Sequence, residues 1–267
     1  MALLRFTILG CGSSGGVPRI GGLWGECDPT NPRNRRLRCS LLVERITGTG
    51  ATRVLIDTSP DMREQLLRAE VSAIDAVVYT HSHSDHVNGL DDLRQLVFLS
   101  HRRVPVWADG ATRNEILSRF AYAFVQPEGS SYPPICDLHT IHGPVRIDGA
   151  GGPVVLDPFQ VDHGDIEALG FRIGRLAYLP DVLRIPEPVW ESHLAGLDYW
   201  IVDALRRKPH PTHAHLALTL EWIARARPRI GVLTNMHIDI DHARVEAETP
   251  DNVVAAYDGM VIEIEDA

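Results

Sequence analysis

Ala76-Val77-Val78-Tyr79-Thr80-His81-Ser82-His83-Ser84-Asp85-His86 is the stretch that decides how this 267-residue chain is read. Directly after an apolar run it sets three imidazoles and a carboxylate within six residues. Protein interiors do not gather that many borderline and hard donor atoms for packing. In extended backbone leaving a strand, His81 and His83 alternate and so point the same way. Asp85 and His86 are adjacent, and a turn there aims both at a second, neighbouring point. The spacing predicts two metal ions side by side, the arrangement of two-metal hydrolases. A solvated histidine-rich loop is the competing reading, and the structural context weighs against it. Gly89-Leu90 opens a segment with apolar Leu90, Leu93, Leu96 and Val97 at helical spacing, so the loop is mounted between a strand and a helix.

Bulk properties narrow the field. No long linker or low-complexity tract divides the chain, which is read as a single domain over residues 1–267. Its formal net charge of −9 disfavours a long nucleic acid as partner, because such binders present broad basic surfaces. A small anion stays open, since its binding depends on the local field in a cleft. Cys11, Cys27, Cys39 and Cys136 form no CxxC pair and read as reduced core or loop thiols. The N-terminal apolar run is too short for a signal peptide and carries Arg5. No stretch is long enough to cross a bilayer. A cytoplasmic protein with no membrane partner is expected.

Along the chain, strands are expected at Leu3–Leu9, Leu41–Glu44, Val54–Ile56, Val104–Trp107, Val154–Val161, Leu169–Ile173, Leu176–Leu179, Tyr199–Asp203 and Ile230–Thr234. Ser59-Pro60 reads as an N-cap and first-turn proline for a helix through Leu67. Further helices are expected at Thr112–Ala121, Pro188–Leu194 and Leu216–Ala226. Residues 126–152, rich in Pro and Gly with Arg146 as their one basic residue, read as a loop or lid. Paired strands early and β-α alternation throughout imply sheets covered by helices. Gly10-Cys-Gly12-Ser-Ser-Gly15 satisfies the GxGxxG dinucleotide pattern, but that fingerprint needs a helix at once, and Pro18, Gly21 and Gly22 deny it.

His81-x-His83-x-Asp85-His86 with Gly89-Leu90 resembles the metal-binding signature of the metallo-β-lactamase superfamily, in particular its phosphodiesterase branch. Leu55-Ile56-Asp57, Asp162-His163-Gly164, Leu179-Pro180-Asp181 and Leu233-Thr234-Asn235-Met236-His237 fall in matching order across nearly the whole chain. Gly10–Pro18 and Arg35–Ser40 most resemble the phosphoribosyl 1,2-cyclic phosphate phosphodiesterases. The resemblance implies an α/β fold, the four-layer αβ/βα sandwich of the metallo-β-lactamase type. It implies His81, His83 and His163 on a first divalent ion, Asp85, His86 and a late histidine on a second, and Asp181 between them. Zinc and manganese both suit such ligands. Asp57 is expected to orient a ligand imidazole or the ligand loop by accepting a hydrogen bond.

The chain departs from the pattern in two places. Relatives commonly carry His directly after Leu-Thr, where this chain has Asn235; His237, two residues on, restores the same face in extended backbone, with His242 as the substitute. Related phosphodiesterases often cluster cysteines near Cys27 for a structural zinc, and Gly25-Glu-Cys27-Asp-Pro offers one, too few for a closed four-ligand site. His213, in His210-Pro-Thr-His213-Ala-His215, matches the place of a proposed acid. The same histidines also read as solvated residues before a helix.

The implied activity is hydrolysis of a small phosphodiester, a cyclic phosphate or nucleotide-like ester, by a metal-bridging hydroxide. Two divalent ions, Asp85, Asp181 and that hydroxide sum to about plus one, suited to a monoanion. Asp85 and Asp181 would serve catalysis through the ions they hold, and His213 would protonate the departing alkoxide. Arg35, Arg36 and Arg38 are either phosphate contacts or a solvated basic loop. The alternatives are a tRNase Z-like ribonuclease, a glyoxalase II-type thioesterase or lactamase, and a PqqB-like metal-binding assembly factor with little hydrolysis. A homodimer is left open.

Overall fold

The computed structural model describes residues 2–126 and 128–266. In chain order it forms β1 (Ala2–Gly10), β2 (Ser40–Thr47), β3 (Gly50–Ile56), α1 (Met62–Arg68), β4 (Ala76–Val78), α2 (Ser84–Val87), α3 (Leu93–Ser100), β5 (Val104–Ala108), α4 (Gly110–Phe124), β6 (Cys136–Thr140) and β7 (Val145–Ile147). There follow β8 (Val154–His163), β9 (Ile166–Ile173), β10 (Leu176–Leu179), α5 (Glu187–Ser192), β11 (Tyr199–Asp203), α6 (Leu216–Ala226), β12 (Ile230–Thr234), α7 (His242–Glu248), β13 (Val253–Ala255) and β14 (Met260–Asp266). These elements make two compact units, interleaved along the sequence, which is why no linker is visible in it. The first comprises Ser40–Val155 with most of the two terminal strands; the second comprises Gly10–Cys39 and Leu156–Met260.

Each unit follows the same construction. One sheet runs β14-β1-β2-β3-β4-β5-β6 and the other β13-β12-β11-β10-β9-β8-β7. In the first, β2 and β3 are antiparallel, and β3 to β6 are parallel. In the second, β8, β9 and β10 are antiparallel, and β10 to β13 are parallel. Parallel strands covered on both faces need unbroken apolar runs. Ala76-Val77-Val78 and Leu176–Leu179 are accordingly buried at every residue. Around β4, the side chains of Leu42, Leu55, Val77, Tyr79, Val87, Leu90, Leu93 and Val106 form one buried cluster. Trp200, Phe171 and Tyr178 are the largest wholly buried side chains of the second sheet.

Two expectations are corrected. Residues 126–152 are not simply a loop, since β6 pairs parallel with β5 and β7 joins the second sheet. Their alternating burial shows a half-buried edge that Pro and Gly neighbours disguised. The first helix starts at Met62 with Asp61 as its cap, not at Ser59-Pro60. Ser59 instead closes the turn before it: its hydroxyl accepts from the Asp61 N–H at 3.1 Å and donates to Gln65 Oε1 at 2.8 Å. Strands β13 and β14 and helix α7 complete the fold without a forecast. After β1 no helix begins; Gly12 bridges to Arg38 and Met236, so the GxGxxG match is a crossing loop.

Candidate metal centre

In an open α/β sheet the carboxyl ends of parallel strands are where ligands are held. Both units place their polar side chains there. In the first unit β3 is followed by Asp57 and β4 runs into Thr80–His86. Register pairs Ile56 with Val78, and the Asp57 N–H continues it onto the Val78 carbonyl at 3.0 Å. Asp57 then adopts φ +64, a left-handed conformation that Asp tolerates better than most residues, and its carboxylate turns back into the protein.

The wholly buried Asp57 carboxylate orders the ligand loop. Its Oδ1 accepts the Thr80 N–H at 2.8 Å, and Oδ2 accepts the Thr80 hydroxyl at 2.8 Å and His86 Nδ1–H at 2.7 Å. With its proton committed to Asp57, the Thr80 hydroxyl accepts from His81 Nδ1–H at 2.9 Å. His81 and His86 are thereby held as Nδ1–H tautomers, whose Nε2 carries the ligating lone pair. Burial raises the Asp57 carboxyl, against the opposing pull of His86 and Thr80. The His83 ring stands edge-on to His81 at 4.6 Å, and His86 lies 4.3 Å from His81. Asp85 Oδ2 is 3.5 Å from His86 Nε2. Arg119 of α4 anchors the loop by donating to the Ser82 carbonyl at 2.8 Å. At the next turn, a Cβ on Gly89 would stand 2.1 Å from the Ser59 carbonyl oxygen, so only glycine fits there.

In the second unit His163 ends β8, and Asp181, Asp203 and Asn235 follow or end the adjacent parallel strands β10, β11 and β12. Register pairs Leu179 with Val202 and Asp203 with Thr234, which aligns those strand ends. His163, Asp181 and His213 each offer a ligand atom within 4.8 Å of the others. His163 Nδ1–H donates to the Thr212 carbonyl at 2.7 Å, and His213 Nδ1–H to Asp203 Oδ2 at 2.9 Å. Both therefore present the same tautomer as His81 and His86. Asp203 is wholly buried, and that burial pushes its carboxyl up to about 6, against the pull of His213. Thr212 also packs on Gly164, where a Cβ would come within 2.4 Å of its methyl group.

Tautomers separate the remaining histidines. His210 Nδ1 accepts the Thr212 N–H at 3.3 Å, so its proton sits on Nε2 and it is no ligand in this state. Its pKa is pushed down to about 4 by burial, then by the nearby His213, Arg206, His163 and His237. His237 Nδ1–H donates to Asp239 Oδ1 at 3.1 Å, which leaves Nε2 as the basic atom. His237 thus lies in the electrostatic neighbourhood of His210. His242 is buried at the start of α7, and burial pushes its imidazole down, with Glu246 pulling the other way and Arg33 and Arg36 adding to the fall. The place directly after Leu233-Thr234 is taken by Asn235, buried and at φ +59.

Two residues escaped the sequence reading. In the sequence Asp203 is no more than the end of a strand. The signal was available: Tyr199-Trp-Ile-Val-Asp203 closes a buried apolar run on a carboxylate, as Val54-Leu-Ile-Asp57 does. Asn235 stands where relatives carry a histidine, and its amide is bonded to two carboxylates. Cys27 is buried with its thiol on the Ile240 carbonyl at 3.3 Å, and all four cysteines are free. Arg36 is buried, not solvated.

The family described as Beta-lactamase superfamily domain matches residues 52–238, most of the chain and both donor sets. The chain belongs to the beta-lactamase superfamily. A crystal structure described as a new diphosphatase from the PhnP family superposes with a TM-score of 0.85 at 36% identity, covering 98% of each chain. That likeness sets the chain in the superfamily's phosphodiesterase branch and bears out the expected metallo-β-lactamase α/β fold. An octanoyltransferase of Porphyromonas gingivalis is 33% identical over 262 residues, 96% of this chain and 51% of that protein. A ribonuclease Z of Gemmatimonas aurantiaca is 31% identical over 157 residues, 54% of this chain and 48% of that protein. The chain thus spans about half the length of these two relatives. No helix of the described residues is long and apolar enough to cross a membrane.

Proposed function

We propose that the chain is a metal-dependent phosphodiesterase, one hydrolase domain acting on a small cyclic phosphate or nucleotide-like ester. The observation that carries the metal reading is the set of imidazoles, His81, His86, His163 and His237, whose Nδ1 protons are all committed to oxygen acceptors. That is the state in which histidine ligates a divalent ion. In this reading His81, His83 and His163 would hold one ion, Asp85, His86 and His237 would hold another, and Asp181 would serve both. When bound, two such ions would acidify a water and neutralise charge building on the phosphate.

The chain's own residues supply the rest. His213 carries a proton on Nε2 to the departing alkoxide oxygen. Asp203 at 2.9 Å and Asp181 at 3.5 Å from Nδ1 stabilise positive charge on that ring, the form an acid needs and a ligand does not. The likeness to a PhnP-family diphosphatase supports a phosphate ester, and the net charge of −9 supports a small one over RNA. Acyl transfer, the activity in the octanoyltransferase's name, finds no exposed thiol nucleophile, because all four cysteines are buried. The aligned residues cover only half of that protein, so its name does not locate its activity in this half.

Metal analysis and a substrate panel test the proposal: bis-p-nitrophenyl phosphate, cyclic nucleotides, ribose cyclic phosphate, pre-tRNA, a lactam and a thioester. Two bound divalent ions and turnover of the small phosphodiesters are expected. Turnover of the lactam or thioester alone would overturn the substrate class, and turnover of pre-tRNA alone would install the ribonuclease reading. His213→Ala should slow esters with poor leaving groups by about 10²–10⁴-fold and spare p-nitrophenyl esters. Equal losses on both would remove His213 from the acid role.

A further inference from the structure

Asn235 stands at the end of β12, where the two carboxylates of the second unit come closest to a shared partner. Its Nδ2 lies 3.2 Å from Asp181 Oδ1 and 3.2 Å from Asp203 Oδ1. All three side chains are buried, at 2%, 3% and 0% exposure. A primary amide has two N–H groups about 120° apart, so one is directed to each carboxylate. The assignment of nitrogen over oxygen is decided by chemistry, because two carboxylates offer only acceptors. The same nitrogen lies 3.3 Å from His213 Nδ1. That contact is a close approach, since Nδ1 already donates to Asp203. An amide nitrogen bonded in this way has no lone pair for a metal.

The first unit provides a parallel. Asp57 follows β3 at φ +64 and Asn235 follows β12 at φ +59, so both turn from a strand end through the left-handed region. Each then sends a short side chain back among the groups that hold the ligands. Asp57 meets donors, the Thr80 N–H and hydroxyl and His86 Nδ1–H, and is an acceptor. Asn235 meets acceptors, and is a donor. Asp181 acts on Asp203 as a like charge, and the amide adds a donor to both beside the His213 ring and the Val182 N–H that Asp203 already holds.

We infer that Asn235 is a positioning residue: its amide clamps Asp181 to Asp203, aiming Asp181 at the metal and holding Asp203 on His213. This rests on the metal-centre reading above. Two variants separate the amide from the backbone. Asn235→Gly keeps the left-handed conformation at no steric cost and deletes the amide. Asn235→Asp keeps the size and shape and replaces the donor by a third carboxylate.

The test is titration of the metal-free proteins with Zn²⁺ and Co²⁺ by calorimetry, with the visible ligand-field spectrum of the cobalt form and thermal melting of each metal-free protein. Both variants should melt cooperatively but below the parent protein, because each removes a buried donor from two carboxylates. Both should bind metal about 10–100-fold more weakly and show an altered cobalt spectrum. Parent-like affinity and spectrum in a folded Asn235→Gly protein would overturn the clamp while leaving the metal centre standing. Absence of binding by the parent protein would overturn the metal centre and the clamp with it. A loss of affinity accompanied by a melted metal-free protein in both variants would assign Asn235 a purely structural role and also overturn the clamp.

Discussion

Asp57→Asn is the substitution that best tests how the ligand loop is held. Asparagine keeps the size of the side chain and its tolerance of φ +64. It turns one carboxylate oxygen into an NH₂ group. The Thr80 backbone N–H, 2.8 Å from Oδ1, can only donate, so the amide oxygen must remain there. The NH₂ then faces the Thr80 hydroxyl and His86 Nδ1, at the place of Oδ2. Thr80 can rotate and accept. His86 can accept only by moving its proton to Nε2, the atom that should bind metal. A charge-assisted bond worth about 1.5–3 kcal/mol is replaced by a neutral one worth about 0.5–1.5, so unfolding free energy should fall by about 1–2 kcal/mol. Restoring the ligating tautomer means breaking the new bond, which with the lost basicity should weaken metal binding about 10–100-fold. Urea denaturation of the metal-free protein, calorimetric metal titration and nitrogen NMR of the imidazole tautomer measure the three effects. A folded Asp57→Asn protein with parent-like metal affinity and an Nδ1–H His86 would refute the reasoning.

Two further outcomes follow from packing. Gly89→Ala has no conformational obstacle at φ −85, so its penalty is steric: the new Cβ meets the Ser59 carbonyl at 2.1 Å and Met62 Cβ at 3.0 Å. A loss of about 1–3 kcal/mol in urea denaturation is expected, against less than about 0.5 for Gly48→Ala, which has no neighbour within 4 Å; equal values for the pair would contradict the close approach. Burial pushes the Cys136 thiol up to about 12 and raises Cys11 and Cys27 as well. At pH 8 about one Cys136 in ten thousand is thiolate, so the folded protein should resist an aromatic disulfide reagent and release all four thiols in urea. Rapid reaction of any thiol in the folded protein would show the burial to be wrong.

Much of the first unit was legible in the chain. The strand, ligand loop and helix around His81–His86 are contiguous, and local backbone geometry settles their relation: alternation in extended chain for His81 and His83, a short helix for Asp85 and His86. Helix α6 and strands β10, β11 and β12 were expected at their observed bounds, because long apolar periodic segments carry strong local signals. Edges were less legible. Strands β6 and β7 are short and half-exposed, and their proline and glycine surroundings resemble a loop.

His163, Asp181, Asp203, His213 and Asn235 are spread over more than seventy residues, and no local rule joins them. Parallel pairing does: equal register across β10, β11 and β12 brings three strand ends level, and the left-handed turn at Asn235 directs its amide back to both carboxylates. The amino-acid sequence by itself determined which residue types could ligate, which strands would be buried and that the loop after β4 gathers side chains able to ligate a metal. Tertiary structure alone decided the tautomer of each imidazole, the pairing of Asp203 with His213 and the use of Asn235 as a donor. Those choices depend on hydrogen-bond partners distant along the chain, and a partner has no direction until the strands that carry it are in register.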